Sequence, residues 1–163
     1  MTERTFAILD RVDERYADLA QRGVPATDAD IAAAEATLGC AFPPSYRRFL
    51  RQIGGLSLPE HLGVVQHFVG VGDGPVLAGV VAQTLAARRA YQLSDDLVVV
   101  GMGAERREWF CLDTRRSAED GECPVRLYDA RDRALDGEFY ADFGCMFDEV
   151  LGFVEAALDV EYD

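Results

Sequence analysis

The stretch LGCAFPPSYRRFLRQIGGL, Leu38 to Leu56, constrains the fold more than any other part of the chain. Gly39 tolerates positive φ just past a last helical turn, so it ends one helix. Pro43 and Pro44 forbid helix continuation and hold the chain extended until Ser45 caps a second helix. In that second helix Tyr46, Phe49, Leu50 and Ile53 fall at i, i+3, i+4 and i+7, which buries one face and leaves Arg47, Arg48 and Arg51 toward water. Gly54 and Gly55 close it. Upstream, Thr27 with Asp28 and Asp30 in the first turn caps a helix whose Ile31, Ala34 and Leu38 share one face.

The remaining segments follow the same periodicities. A first helix is expected from about Glu3 to Gln21, with Ile8, Leu9, Val12, Tyr16 and Leu19 on one side. From Leu56 the texture changes, and alternating polarity around Val64 to Phe68 predicts a strand or hairpin. Turn residues Gly70, Gly72, Asp73, Gly74 and Pro75 follow it. Leu77 to Gln92 returns to helical spacing. Three strands are expected at Leu97 to Val100, Glu108 to Asp113 and Pro124 to Tyr128, the last two joined by the polar loop TRRSAEDGE. Trp109 and Phe110 are consecutive, so they point to opposite faces of a strand, and both are expected in the core. Residues 129 to 142 read as a charged connection. Phe143, Phe147, Val150, Leu151, Val154 and Leu158 mark a terminal amphipathic helix. Helices first, a sheet in the middle and a closing helix predict an α+β fold.

At 163 residues the chain is expected to form a single domain, 1–163, burying roughly 70% of its unfolded surface without a metal or disulfide staple. No apolar run approaches the roughly 20 residues of a membrane helix. The N-terminus MTERTFAILDRVDER mixes acids and bases and lacks the basic and apolar regions of a signal peptide, so a cytoplasmic location and no membrane partner are expected. Cys40, Cys111, Cys123 and Cys145 form no C-x-x-C pair and read as small buried thiols. His61 and His67 are six residues apart, which fits no metal-ligand spacing, and no metal site is expected.

Charge is more informative than the cysteines. All basic residues are arginine, and the formal net charge is −13. Residues 1 to 93 carry ten acids against nine arginines, a net of −1, whereas residues 94 to 163 carry nineteen against seven, a net of −12. A field of that sign repels phosphate backbones, which argues against nucleic acid as a partner, and speeds association with a cationic surface; the alternative reading is that the acidity only keeps the protein soluble, and the asymmetry between the two halves narrows the gap between these readings.

The motifs that would carry chemistry are incomplete. VGVGDGP lacks a lysine and the GK[ST] ending of a phosphate loop, and VVVGMGAER has Arg106 where a dinucleotide loop needs its third glycine. No serine lies in a G-x-S-x-G elbow, and neither histidine is set beside a cysteine or serine in a recognisable pairing. Neighbouring acids such as Asp95 with Asp96 arise readily among 29 carboxylates. No catalytic residue and no cofactor is therefore expected.

The order of parts in the opening stretch resembles the SUKH superfamily of SMI/KNR-type domains. The matching residues are Ile31, Glu35, Leu38, Gly39, Phe42, Pro43, Tyr46, Phe49, Leu50, Gly54 and Gly55. Downstream, LVVVG, WFCLDT with Asp113, and the last helix led by Phe147 are also similar to that family, so the resemblance spans nearly the whole chain. Ile53, where an asparagine is common in the family, and the long TRRSAEDGE loop depart from it. The resemblance implies an antiparallel-rich sheet packed with helices. It also implies an immunity protein that neutralises a cognate toxin by binding it, with no shared catalytic residue, or alternatively a regulatory scaffold for endogenous cell-envelope or housekeeping enzymes. A basic toxin such as a nuclease suits the acidic C-terminal part. The partner contacts expected from loops at the sheet ends are Asp95, Asp96, Glu105, Glu119, Asp120 and Glu122.

Overall fold

The computed structural model describes residues 1–74 and 77–160. Among these, five helices accompany one seven-stranded sheet. The helices are α1 (Glu3–Arg15), α2 (Asp28–Leu38), α3 (Pro44–Gln52), α4 (Val80–Tyr91) and α5 (Phe143–Val160). The strands are β1 (Gln21–Arg22), β2 (Leu56–Ser57), β3 (His67–Phe68), β4 (Leu97–Met102), β5 (Glu108–Asp113), β6 (Val125–Asp129) and β7 (Ala134–Tyr140). They lie side by side in chain order, and every neighbouring pair is antiparallel. The fold is α+β, as the order of helical and strand texture predicts.

Local chemistry explains most boundaries. Thr27 and Asp30 form a reciprocal capping box at the start of α2, and Gly39 ends it at φ 71°. Gly54 stands at φ +80°, where a Cβ would lie 2.0 Å from the carbonyl oxygen of Val24; a Cβ on Gly70 would lie 1.9 Å from the carbonyl oxygen of Gly54. Only glycine permits this three-way approach of backbones, so the glycines after α3 serve the fold.

Several expectations are corrected. The first helix stops at Arg15, because Tyr16 leaves helical geometry and the N–H groups of Leu19 and Ala20 both turn back to its carbonyl at 2.8 Å. Leu19, which fitted the helical stripe, is exposed. Ser45 does not cap α3: Pro43 takes the N-cap position, and both Ser45 donors are claimed by Glu122. The hairpin expected after Leu56 is present as the antiparallel pair β2–β3, but its strands hold two residues each, a 3₁₀ turn at Glu60–Leu62 separates them, and Val64 lies outside them. Helix α4 starts at Val80, where the Asp73 carboxylate accepts the N–H of the N-cap Gly79 at 2.9 Å. The Pro75 turn position lies outside the described residues. Strand β4 runs on to Met102 with all six residues buried.

The connection expected over 129–142 contains β7. None of its residues is buried, so it offers no buried face for an alternating pattern to reveal. It forms an edge of the sheet, and its pairing with β6 is irregular at Val125/Arg126 and between Arg126 and Tyr128.

Helices cover the sheet from both sides. On one side Phe49 meets Tyr46, Phe68, Phe143 and Phe147, with ring centroids 6.2, 6.0, 5.2 and 5.3 Å away. Such pairs add about 0.5–1.5 kcal/mol each beyond the area they bury. On the other side α4 lies over Val99, Cys111 and Trp109; Tyr91 and Tyr128 flank the Trp109 ring at 4.9 and 5.4 Å. Trp109 and Phe110 thus fill opposite cores, as their adjacency requires.

Candidate partner-binding surface

Antiparallel pairing of β4 with β5 and of β5 with β6 sends alternate loops to opposite ends of the sheet. Residues 93–96 and 114–124 share one end; 103–107 and 130–133 share the other. Strands of six residues separate the two by about 20 Å. The six acids singled out in the sequence are therefore divided: Asp95, Asp96, Glu119, Asp120 and Glu122 stand at the first end, and Glu105 stands alone at the second.

At the first end most carboxylates are engaged within the chain. Glu122 accepts the Ser45 N–H at 2.8 Å and its hydroxyl at 2.7 Å, holding the β5–β6 loop against the start of α3. This negative charge also sits favourably at a helix N-terminus. Asp120 accepts the N–H of Glu122 at 3.0 Å. Asp96 pairs with Arg115 at 2.9 Å, and its backbone carbonyl accepts both the N–H and the hydroxyl of Thr114. Asp95 lies 3.8 Å from Arg88 and is 94% exposed. Glu119 is exposed and makes no ion pair among the described residues. Behind them the buried Asp113, 2% exposed, faces Arg126 at 3.4 Å and Arg116 at 3.7 Å, and Arg116 reaches on to Glu138.

The second end opens onto solvent. A cleft of about 480 Å³ is lined by Glu105, Glu108, Asp129 and Asp132, by Arg107 and Arg131, and by Gly63, Val64, Gly103 and Ala104. Glu105 is ion-paired with Arg107 inside it. Gly63 and Val64 also line an adjoining groove of about 370 Å³, whose other walls are Glu60, His61, Leu62, Phe153 and Ala157. Val64 is 57% exposed and Phe153 58%. Phe153, Ala157 and Val160 recur at i, i+4 and i+7 along α5, a second apolar stripe beside the buried one. The sequence carried that signal, since Phe153 lies directly beside Val154 but off its face. The signal is faint, because single exposed apolar residues are common.

Of the groups suited to chemistry, His61 is exposed in the groove and lies 3.3 Å from the Tyr16 hydroxyl. Among the described residues no cluster of three or more His, Cys, Asp or Glu is set to hold a metal. Cys111 and Cys123 are buried, and burial pushes the Cys123 thiol up to about 12, well away from a nucleophilic thiolate. Cys40 is half-buried and Cys145 exposed, against the expectation that all four thiols are buried. Desolvation lowers His67 to about 4, so it sits neutral against the Ser57 hydroxyl at 2.9 Å. No helix of the described residues is long and apolar enough to cross a membrane.

Comparison with known proteins gives a family and a likeness of fold. The model of a family described as SMI1-KNR4 cell-wall, SUKH_5, matches residues 7–151. A crystal structure of a protein from Pseudomonas syringae pv. tomato is similar with a TM-score of 0.56 and 18% identity, covering 88% of this chain and 98% of that one, a likeness of fold. No curated protein is matched.

Proposed function

The chain belongs to the SMI1-KNR4 cell-wall family, SUKH_5, and from that premise we propose that it is a non-enzymatic binding protein, an immunity factor that neutralises a cognate toxin by occupying it. The observation that carries the reading is the net charge of −12 within residues 94 to 163. Such a field draws in a cationic protein and repels nucleic acid, which suits a toxin whose own groove is basic, a nuclease above all. Among the six acids Glu105, which lines the open cleft, is the expected contact, and Asp95 and Glu119 add only to the long-range field from the opposite end. Glu122, Asp120 and Asp96 serve mainly to hold the loops that present them.

The test is survival. The toxin-like gene nearest this one in its native genome is expressed alone and with this chain. Rescue by the wild type, together with recovery of a stoichiometric complex, supports the reading; killing unaffected by the chain overturns it. The family's cell-wall description favours a second reading, a regulatory scaffold for endogenous cell-envelope enzymes. Altered wall composition on deletion of the gene, in cells with no toxin present, would support that reading instead.

A further inference from the structure

The apolar groove and the acidic cleft meet at Gly63 and Val64, which line both. We propose that together they form one bipartite docking surface for a cationic, amphipathic segment of a partner protein, the apolar side chains entering the groove and an arginine or lysine entering the cleft. The inference rests on the protein-binding reading above and places the contact at the Glu105 end of the sheet.

Two properties of the surface select that occupant. The groove presents Val64 and Phe153 to water, with Val160 continuing the stripe along α5, while the aromatic side chains of the core around Phe49 are buried. Exposed apolar area concentrated in a concavity marks a place where a partner seats an anchor. The charge of the lining then sets the partner's sign. Glu60, Glu105, Glu108, Asp129 and Asp132 stand against Arg107 and Arg131, and Arg107 is already tied to Glu105. Arg106 and Arg133 lie on the same loops outside the lining. Helix α5 adds Asp148 and Glu149, while its Glu155 and Asp159 are already paired with Arg4 and Arg11 of α1. A second copy of this chain would bring the same acids against these, so like charge disfavours self-association and favours a segment carrying the opposite sign. Amphipathic segments seat in such grooves through side chains spaced at i, i+3, i+4 and i+7.

The probe is a synthetic helix-forming peptide with leucines along one face and arginines along the other, titrated into the full chain; its glutamate counterpart is the control. Phe153→Ser is expected to weaken binding about tenfold or more, since an exposed anchor is lost and no core contact goes with it. Glu108→Gln with Asp132→Asn is expected to weaken it several-fold and to flatten its salt dependence. The charge-matched pair Asp95→Asn with Glu119→Gln, at the opposite end, is expected to leave it within about twofold. Equal weakening by the two charge pairs, or binding indifferent to Phe153→Ser, overturns the proposal. So does a concentration-dependent dimer of the wild type that Phe153→Ser abolishes, because a second copy is then the occupant. Failure of this surface is distinguishable from failure of the immunity reading. If the Phe153→Ser chain still rescues cells from the toxin, immunity stands and the docking site lies elsewhere.

Discussion

The two ends of the sheet carry similar residues and use them differently. At the end formed by 93–96 and 114–124, carboxylates are absorbed by the fold: Glu122 caps α3, Asp120 turns the loop that carries Glu122, and Asp96 holds Arg115. At the end formed by 103–107 and 130–133, Asp129 likewise accepts the N–H groups of Arg131 and Asp132 and Glu105 pairs with Arg107, but these acids, with Glu108 and Asp132, line an open cleft continuous with an apolar groove. Acidic composition is thus a poor guide to the charge a partner meets. A carboxylate already accepting several N–H or O–H donors has little left to offer, and moving it would cost the protein its loop.

The comparison breaks most sharply at Asp113, the buried acid beneath the first end. Asp113→Ala leaves Arg126, whose side chain is 17% exposed, without a carboxylate and with the Asp136 carbonyl as its remaining acceptor, and removes the residue that caps the following 3₁₀ turn. A loss of about 3 kcal/mol is expected, read as a lower midpoint in urea unfolding. An unchanged midpoint would mean that the arginines around Asp113 find water as easily as they find the acid.

Next in size is the cap across the chain. Glu122→Ala should cost about 1–2 kcal/mol, since it frees two Ser45 donors and the start of α3 at once. Glu105→Ala, at the other end, should stay within about 0.5 kcal/mol, because its bond to Arg107 is an exposed ion pair. Thermal unfolding of the two variants side by side checks the contrast. Equal effects would erase the distinction between the ends.

These contrasts also mark what could be read from the sequence. Residues whose partners are near in sequence were legible: the Thr27–Asp30 box, the Gly39 stop, the buried stripe of α3, and β5 with its two opposed rings. What depended on distant partners was not. Ser45 resembled a cap, and nothing local could show that Glu122, 77 residues away, would supply one. Strand β7 has no buried face and so no periodicity, and its pairing with β6 is what makes it a strand. The candidate surface was legible only through Glu105. Its groove is assembled from the 3₁₀ turn at Glu60–Leu62 and the far end of α5, which topology alone brings together.

The most direct test of the account is hydrogen–deuterium exchange of the full chain, alone and bound to its cognate toxin. The expected result is slowed exchange in 60–64, 103–108 and 150–160, with 114–124 unchanged. Protection confined to 114–124, or no protection anywhere in a complex that forms, would contradict it.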